Sequence, residues 1–248
     1  MFDMKNLLIK TLFCASVVAF LASCGGGKKA EKEAAAEQAR LDSLAAAEQA
    51  QRLAEAEMTV SRLPEQPVFN IVTSMGTIKV RLYSGTPQHR DNFAKLALAG
   101  YYDGLLFHRV ISGFMIQGGD PFSNDPENID RVGQGGPGYT IPAEFVPKYT
   151  HKKGALAAAR KGDAANPLKE SSGSQFYLVQ DEATCAQLDG EYTVFGETLE
   201  GIDVIDKIAA VPTDSKSKPL SDVKIIKVEL DPSVELAPAP EEATPEAE

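Results

Sequence analysis

One stretch constrains this chain more than any other: Phe107-His108-Arg109-Val110-Ile111-Ser112-Gly113-Phe114-Met115-Ile116-Gln117-Gly118-Gly119-Asp120. It reads as two short strands, 107–111 and 114–117, joined at Ser112-Gly113 and closed by a Gly-Gly-Asp turn. Alternation along the first strand sends His108 and Val110 to one face and Phe107, Arg109 and Ile111 to the other. An arginine among such apolar neighbours usually snorkels to the surface or pairs with a buried carboxylate; otherwise it is held there for chemistry.

The block resembles the signature of the cyclophilin-type peptidyl-prolyl cis-trans isomerases, whose Phe-His-Arg, Gly-Phe-Met and Gln-Gly-Gly-Asp elements stand here at that family's spacing. Further stretches similar to the family follow in order at 92–93, 133–146, 154–160, 173–180 and 188–196. The resemblance covers most of 66–230. It implies a mainly β fold, a closed eight-stranded antiparallel barrel capped by two α-helices.

The residues themselves suit such an architecture. Val68–Thr73 and Thr77–Leu82 read as a hairpin about Ser74-Met75-Gly76, with Ile78, Val80 and Leu82 facing inward. Thr86-Pro87 is an N-cap and N1 pair, and Phe93, Leu96, Ala97 and Gly100 share one face of the helix that follows. Residues 121–138 are dense in Gly, Pro, Asn and Asp and read as a long loop. Its Gly-rich run 133–138 lacks a Gly-Lys-Ser/Thr ending, so it is no phosphate cradle. Tyr139–Phe145, Gly154–Arg160 and Ser174–Gln180 read as strands, with a polar loop over 161–173. Ile202, Ile205 and Ile208 mark a second helix, and Val223–Leu230 a last strand whose apolar phase slips at Ile225-Ile226, as a bulge would make it do.

The ends of the chain read differently. Lys5 and Lys10 precede an apolar run, Leu12–Ala22, too short to span a bilayer and the right length for the core of an export leader over 1–23. Leu21-Ala22-Ser23-Cys24 resembles the lipobox of bacterial lipoproteins, which implies acylation of Cys24 and a tether to the membrane. Lys28–Met58 is rich in Ala, Glu, Gln, Lys and Arg with no Pro or Gly, which predicts a helical spacer within 24–63. Its leucines are too sparse for a sustained heptad seam, so a solvated helix is expected, with a weak coiled-coil dimer as the alternative. The isomerase-like domain is placed at 64–230. The net charge of −10 is concentrated at the end, where 231–248 holds six carboxylates and no Lys or Arg; this Pro/Ala/Glu tail is expected to be disordered. The overall sign argues against nucleic acid. With Cys14 and Cys24 in or next to the leader, Cys185 is alone in the globular part, so no disulfide framework forms there.

X-Pro isomerisation needs no nucleophile, proton transfer, metal or cofactor. It needs a slot for the proline ring and a donor that favours the twisted amide, whose nitrogen lone pair becomes an acceptor. A fixed guanidinium meets that requirement better than a lysine. Arg109, with Phe114 as an aromatic wall and Gln117 to orient it or to bind substrate backbone, forms the expected catalytic set, and Met115 adds an adaptable wall. The resemblance implies that Ala159, Arg160 and Gln175 line the groove and that Tyr177, Leu188 and Tyr192 complete the proline slot. Gln187, Tyr192 and Arg160 depart from animal cyclophilins, which have Trp, His and Asn there. The missing Trp argues against tight binding of cyclosporin A.

His89, His108 and His151 are scattered without a matching ligand set, so no metal site is expected, and His108 reads as a satisfied core histidine. The reading is thus of a monomeric, lipid-anchored isomerase of the bacterial envelope, facing the periplasm rather than the cell surface and acting on proline-containing exported proteins. The alternative is a non-catalytic proline-peptide binder or holdase.

Overall fold

The computed structural model describes residues 27–238; the expected leader, the expected acylation at Cys24 and the tail from 239 onward lie outside the described residues. By its contacts the chain divides into two units, Met1–Gln51 and Arg52–Glu248. Helix α1 (Gly27–Val60) runs through the first and into the second, matching the helical propensity of that segment. Residues 31–48 are all exposed, as its scarcity of apolar side chains requires. Within the second unit Ala56 is buried, and Leu53, Val60 and Leu63 pack on the apolar core.

The second unit is built on an eight-stranded antiparallel sheet. Its strands are β1 (Val68–Thr73), β2 (Gly76–Leu82), β3 (Arg109–Ile111), β4 (Met115–Gly118), β6 (Ala155–Ala158), β8 (Phe176–Val179), β9 (Val194–Glu200) and β10 (Ile225–Leu230), in the order β10-β1-β2-β9-β6-β8-β4-β3. A separate two-stranded ladder joins β5 (Thr140–Ile141) to β7 (Ser171–Ser172). Helix α2 (Pro87–Leu98) packs against β9 and β10, while α4 (Ile202–Ala209) packs against β2, β3 and β4; a one-turn helix, α3 (Glu182–Cys185), follows β8.

The sheet is curled but open, which corrects the expectation of a closed barrel. Its edges, β3 and β10, meet by no ladder. The segment before β3 touches the start of β10 at one bridge, Leu106 with Lys224, flanked by hydrogen bonds from Phe107 N to Val223 O (2.9 Å) and from Ile225 N to Leu105 O (2.7 Å). Leu106 turns its own N–H to Ser123 Oγ (3.0 Å), so the chain leaves strand geometry there and pairing ends. For the same reason alternation does not run back through 107: Phe107 lies in the inner core, away from Arg109 and Ile111.

Two further strand expectations change. Tyr139–Phe145 reduces to the two residues of β5, outside the main sheet, and Val194–Glu200 supplies the eighth strand in its interior. The bulge at the last strand is present: Val72 pairs with Lys227 and Thr73 with Ile225, so Ile226 is skipped and exposed. Thr86 stands at the N-cap of α2 but makes no cap bond with its side chain. The free N–H groups of Gln88 and His89 are met by Glu144, from a loop 55 residues on, at 3.1 and 3.0 Å. The start of the tail is also placed: Asp231 is buried and accepts from Asn70 (2.9 Å), and the Ala237 carbonyl accepts from the Arg62 side chain (2.7 Å).

Period two divides the sheet into two apolar clusters. Val110, Ile116, Leu156, Ala158, Phe176 and Leu178 enter the large core enclosed by the curl. Their neighbours Met115, Ala155, Ala157, Ala159, Tyr177 and Val179 form a second, smaller cluster on the opposite face, with Phe114, Leu188 and Tyr192 packed against it.

Candidate active site

The second cluster floors an open cleft of about 770 Å³. One wall comes from the β3–β4 hairpin, in which Arg109 pairs with Gln117 and Ile111 with Met115, so all four side chains share the outer face. The turn between the strands is tied down at Phe114, whose carbonyl accepts from Gln180 N (2.9 Å), Asp181 N (3.2 Å) and Cys185 Sγ (3.4 Å). Phe114 and Met115 are thereby held at the cleft. The other wall runs from Ala159 and Arg160, just past β6, to Tyr177, Leu188 and Tyr192. Gln175 lines an adjoining depression of about 560 Å³, which shares Gln117, Ala159 and Arg160 with the main cleft. All ten residues singled out in the sequence therefore surround one continuous feature.

Arg109 is exposed and donates from Nη1 to Gln117 Oε1 (3.2 Å); among the described residues it forms no ion pair. Gln117 in turn donates to Gln175 Oε1 (3.1 Å), and Gln175 Nε2 reaches the carbonyls of Gly133 (3.2 Å) and Gly135 (2.9 Å) and Asp120 Oδ2 (3.2 Å). Asp120 is fully buried, pairs with no Lys or Arg among the described residues, and is met by further N–H donors at Phe122 (2.8 Å), Gly133 (2.6 Å) and Gly135 (3.1 Å). This chain of bonds orients the guanidinium from below and pins the long loop beside it. Two glycines make the approach possible: a Cβ at Gly119 would lie 2.3 Å from Ser174 O, and one at Gly135 2.1 Å from Asp120 Oδ1.

Arg160 differs. Its side chain is only 4% exposed, donates to the carbonyls of Glu191 (2.9 Å) and Lys161 (3.0 Å), pairs with Asp163, and lies 4.3 Å above the Tyr192 ring centroid. Its charge is engaged by the protein itself.

His108 is buried, but neither ring nitrogen has a hydrogen-bond partner, which corrects its reading as a satisfied core residue. Burial pushes it down to about 4, Arg109 adding to that and Asp120 opposing, so the ring is neutral at physiological pH. It also lines the cleft beside Arg109. Cys185 is buried and its thiol is pushed up to about 11, first by burial and then by Asp181 and Asp189, which makes it a packed, unreactive side chain. Among the described residues no group of three His, Cys, Asp or Glu side chains is placed to hold a metal ion.

Residues 68–230 match the family model described as "Cyclophilin type peptidyl-prolyl cis-trans isomerase/CLD". This chain belongs to that family. Among its relatives, human peptidyl-prolyl cis-trans isomerase-like 1 is 37% identical over 164 residues, covering 66% of this chain and 92% of that protein. A Helicobacter pylori peptidyl-prolyl cis-trans isomerase is 38% identical over 156 residues, covering 61% and 86%. The match to a Rhizopus delemar peptidyl-prolyl cis-trans isomerase-like 2, at 35% identity, spans only 31% of that longer protein. The crystal structure of a Cryptosporidium parvum cyclophilin type peptidyl-prolyl cis-trans isomerase superposes with a TM-score of 0.59 at 30% identity, covering 67% of this chain and 98% of that one.

The sequence reading of this cyclophilin missed parts of the cleft. Val132 and Gly133, from the loop pinned by Asp120, and Lys216 and Lys218, from the turn after α4, also line it. The turn is fixed by Asp214, which accepts from Lys216 N (2.8 Å) and Lys218 N (2.9 Å), and by Val110 N donating to Ser217 O (2.8 Å). Within the signature stretch, local pattern marks Asp120 only as the end of a Gly-Gly-Asp turn. The role of its carboxylate depends on donors 13 and 15 residues downstream.

Proposed function

We propose that this chain catalyses rotation about X-Pro bonds of exported proteins while tethered to the bacterial envelope through an acylated Cys24. The observation that carries the catalytic part is Arg109: a guanidinium with no counter-ion among the described residues, held by Gln117 at the lip of an apolar slot. The proline ring seats against Phe114, Met115 and Leu188, with Tyr177 and Tyr192 closing the slot and Ala159 and Gln175 admitting the neighbouring backbone. As the amide twists, its nitrogen becomes an acceptor and Arg109 donates to it, an interaction stronger in the twisted state than in either planar one. A supporting likeness is the Cryptosporidium parvum cyclophilin, also solved in the presence of the dipeptide Ala-Pro and matching at 30% identity with a TM-score of 0.58.

Turnover of a cis-proline peptide by wild-type protein in a protease-coupled assay tests this reading. Peptide binding without turnover would favour the holdase instead. The anchoring rests on the leader and on Leu21–Cys24 alone, with periplasm-facing, monomeric protein as its natural form. Cys24→Ala is expected to move the protein from the membrane to the soluble fraction or to leave it unprocessed; an unchanged membrane partition would defeat it.

A further inference from the structure

Behind the slot lies a buried histidine that the proposed mechanism does not use. His151, at the turn before β6, has a fully buried side chain and does not reach the cleft. Asp189 Oδ1 lies 2.6 Å from its Nδ1 and accepts from its backbone N at 2.8 Å; its Nε2 lies 2.8 Å from Tyr177 Oη, and the two rings are near parallel at 11°. A carboxylate only accepts, so Nδ1 carries the proton; in the neutral ring Nε2 then accepts from the tyrosine. Burial lowers the imidazole below its ordinary range despite Asp189, consistent with a neutral ring.

The two partners belong to the two parts of the slot. Tyr177 is on β8. Asp189 directly follows Leu188, in a tight turn where Glu191 N (3.0 Å) and Tyr192 N (3.1 Å) both return to the Leu188 carbonyl. Tyr177 and Tyr192 meet edge to face, 6.1 Å between centroids. We propose that His151 is a positioning residue for the proline slot: through Asp189 it fixes the turn bearing Leu188 and Tyr192, and through Nε2 it draws the Tyr177 hydroxyl away from the cleft. An apolar surface is then presented where a tyrosine would otherwise offer an unpaired O–H. This rests on the reading of the slot given above, and it adds a residue acting only through others.

Because the slot grips the ring in planar and twisted states alike, loosening it weakens both equally, which raises KM and spares kcat. His151→Phe keeps the ring and removes both side-chain hydrogen bonds. It and Asp189→Ala are each expected to raise KM for a proline tetrapeptide about tenfold with kcat within about twofold. The double variant is expected to fall short of the product of the two single effects, because both remove the same imidazole–Asp189 bond, while His151→Phe keeps the bond from its backbone N–H to Asp189. Asp189→Asn, which keeps an acceptor oxygen, is expected to stay near wild type, and this pair decides the matter if His151→Phe does not fold. An unchanged KM in Asp189→Ala, kcat falling in step with kcat/KM, effects that multiply in the double variant, or Asn behaving like Ala would each overturn the proposal. Wild-type protein without turnover defeats the isomerase reading separately, and the same comparison is then read in the peptide Kd.

Discussion

Arg109, on the β3–β4 wall, and Arg160, on the wall running from 159 to 192, face the same cleft in opposite electrostatic states. Arg109 is exposed, with one hydrogen bond to Gln117 and no carboxylate partner among the described residues. The Arg160 side chain is 4% exposed and bound to Glu191, Lys161, Asp163 and the Tyr192 ring. A guanidinium whose donors are already met by carbonyls and a carboxylate has little left for a substrate, whereas one steered by a neutral amide keeps its charge and most of its five N–H groups. The difference separates a group fit to act on a reacting bond from one that builds the wall the substrate leans on.

The largest effect expected from this contrast is on turnover. Arg109→Ala should lower kcat/KM by about 10²- to 10³-fold, the usual loss for one pre-organised donor, with the urea midpoint of unfolding unchanged because Arg109 is exposed. A variant as active as wild type would end the distinction. Arg160→Met should do the reverse. It leaves two carbonyls and a carboxylate without their donor, and folding stability in urea should drop by about 1–3 kcal/mol, while kcat stays within severalfold of wild type.

A smaller effect separates the supports of the two walls. Glu144 donates its backbone N–H to Thr193 Oγ1 (3.0 Å), next to Tyr192, and its carboxylate meets His89 Nδ1 (2.6 Å) as well as the start of α2. Burial pushes that carboxyl up, but the His89 ring and the two backbone N–H groups outweigh it and hold it below the ordinary 4.5. The folded value lies below the unfolded one, so this contribution is complete above about 4.5 and is lost as pH falls through the folded value. Glu144→Gln should therefore be less stable near neutral pH and show a shallower acid decline. Parallel acid limbs for both proteins would show that the Glu144 carboxylate does not stabilise the start of α2.

Much of the site was legible because strand alternation is local. Once Phe114–Gln117 is read as a strand, the shared face of Met115 and Gln117 follows without knowledge of the rest of the molecule. The same rule misled at Phe107, where the chain had not yet entered strand geometry. It was silent at β9, whose first three residues, Val194, Phe195 and Gly196, are all buried and show no alternation. Thr86 and Pro87 marked the start of α2 correctly, yet the carboxylate that caps it comes from Glu144, which no local pattern connects to it.

By itself, then, the sequence determined the short hairpin carrying Arg109, Phe114, Met115 and Gln117 and the apolar faces of the strands and helices, because each depends on spacing within a few residues; the other six cleft residues, Ala159, Arg160, Gln175, Tyr177, Leu188 and Tyr192, were legible only through the family resemblance. Tertiary structure alone decided that the curled sheet stays open, that Asp120 and Gln175 steer Arg109 while Arg160 is consumed by its own loop, and that His108 is left unpaired. Those outcomes depend on which hydrogen-bond donors and acceptors meet across tens of residues, and burial sets how strongly each meeting counts.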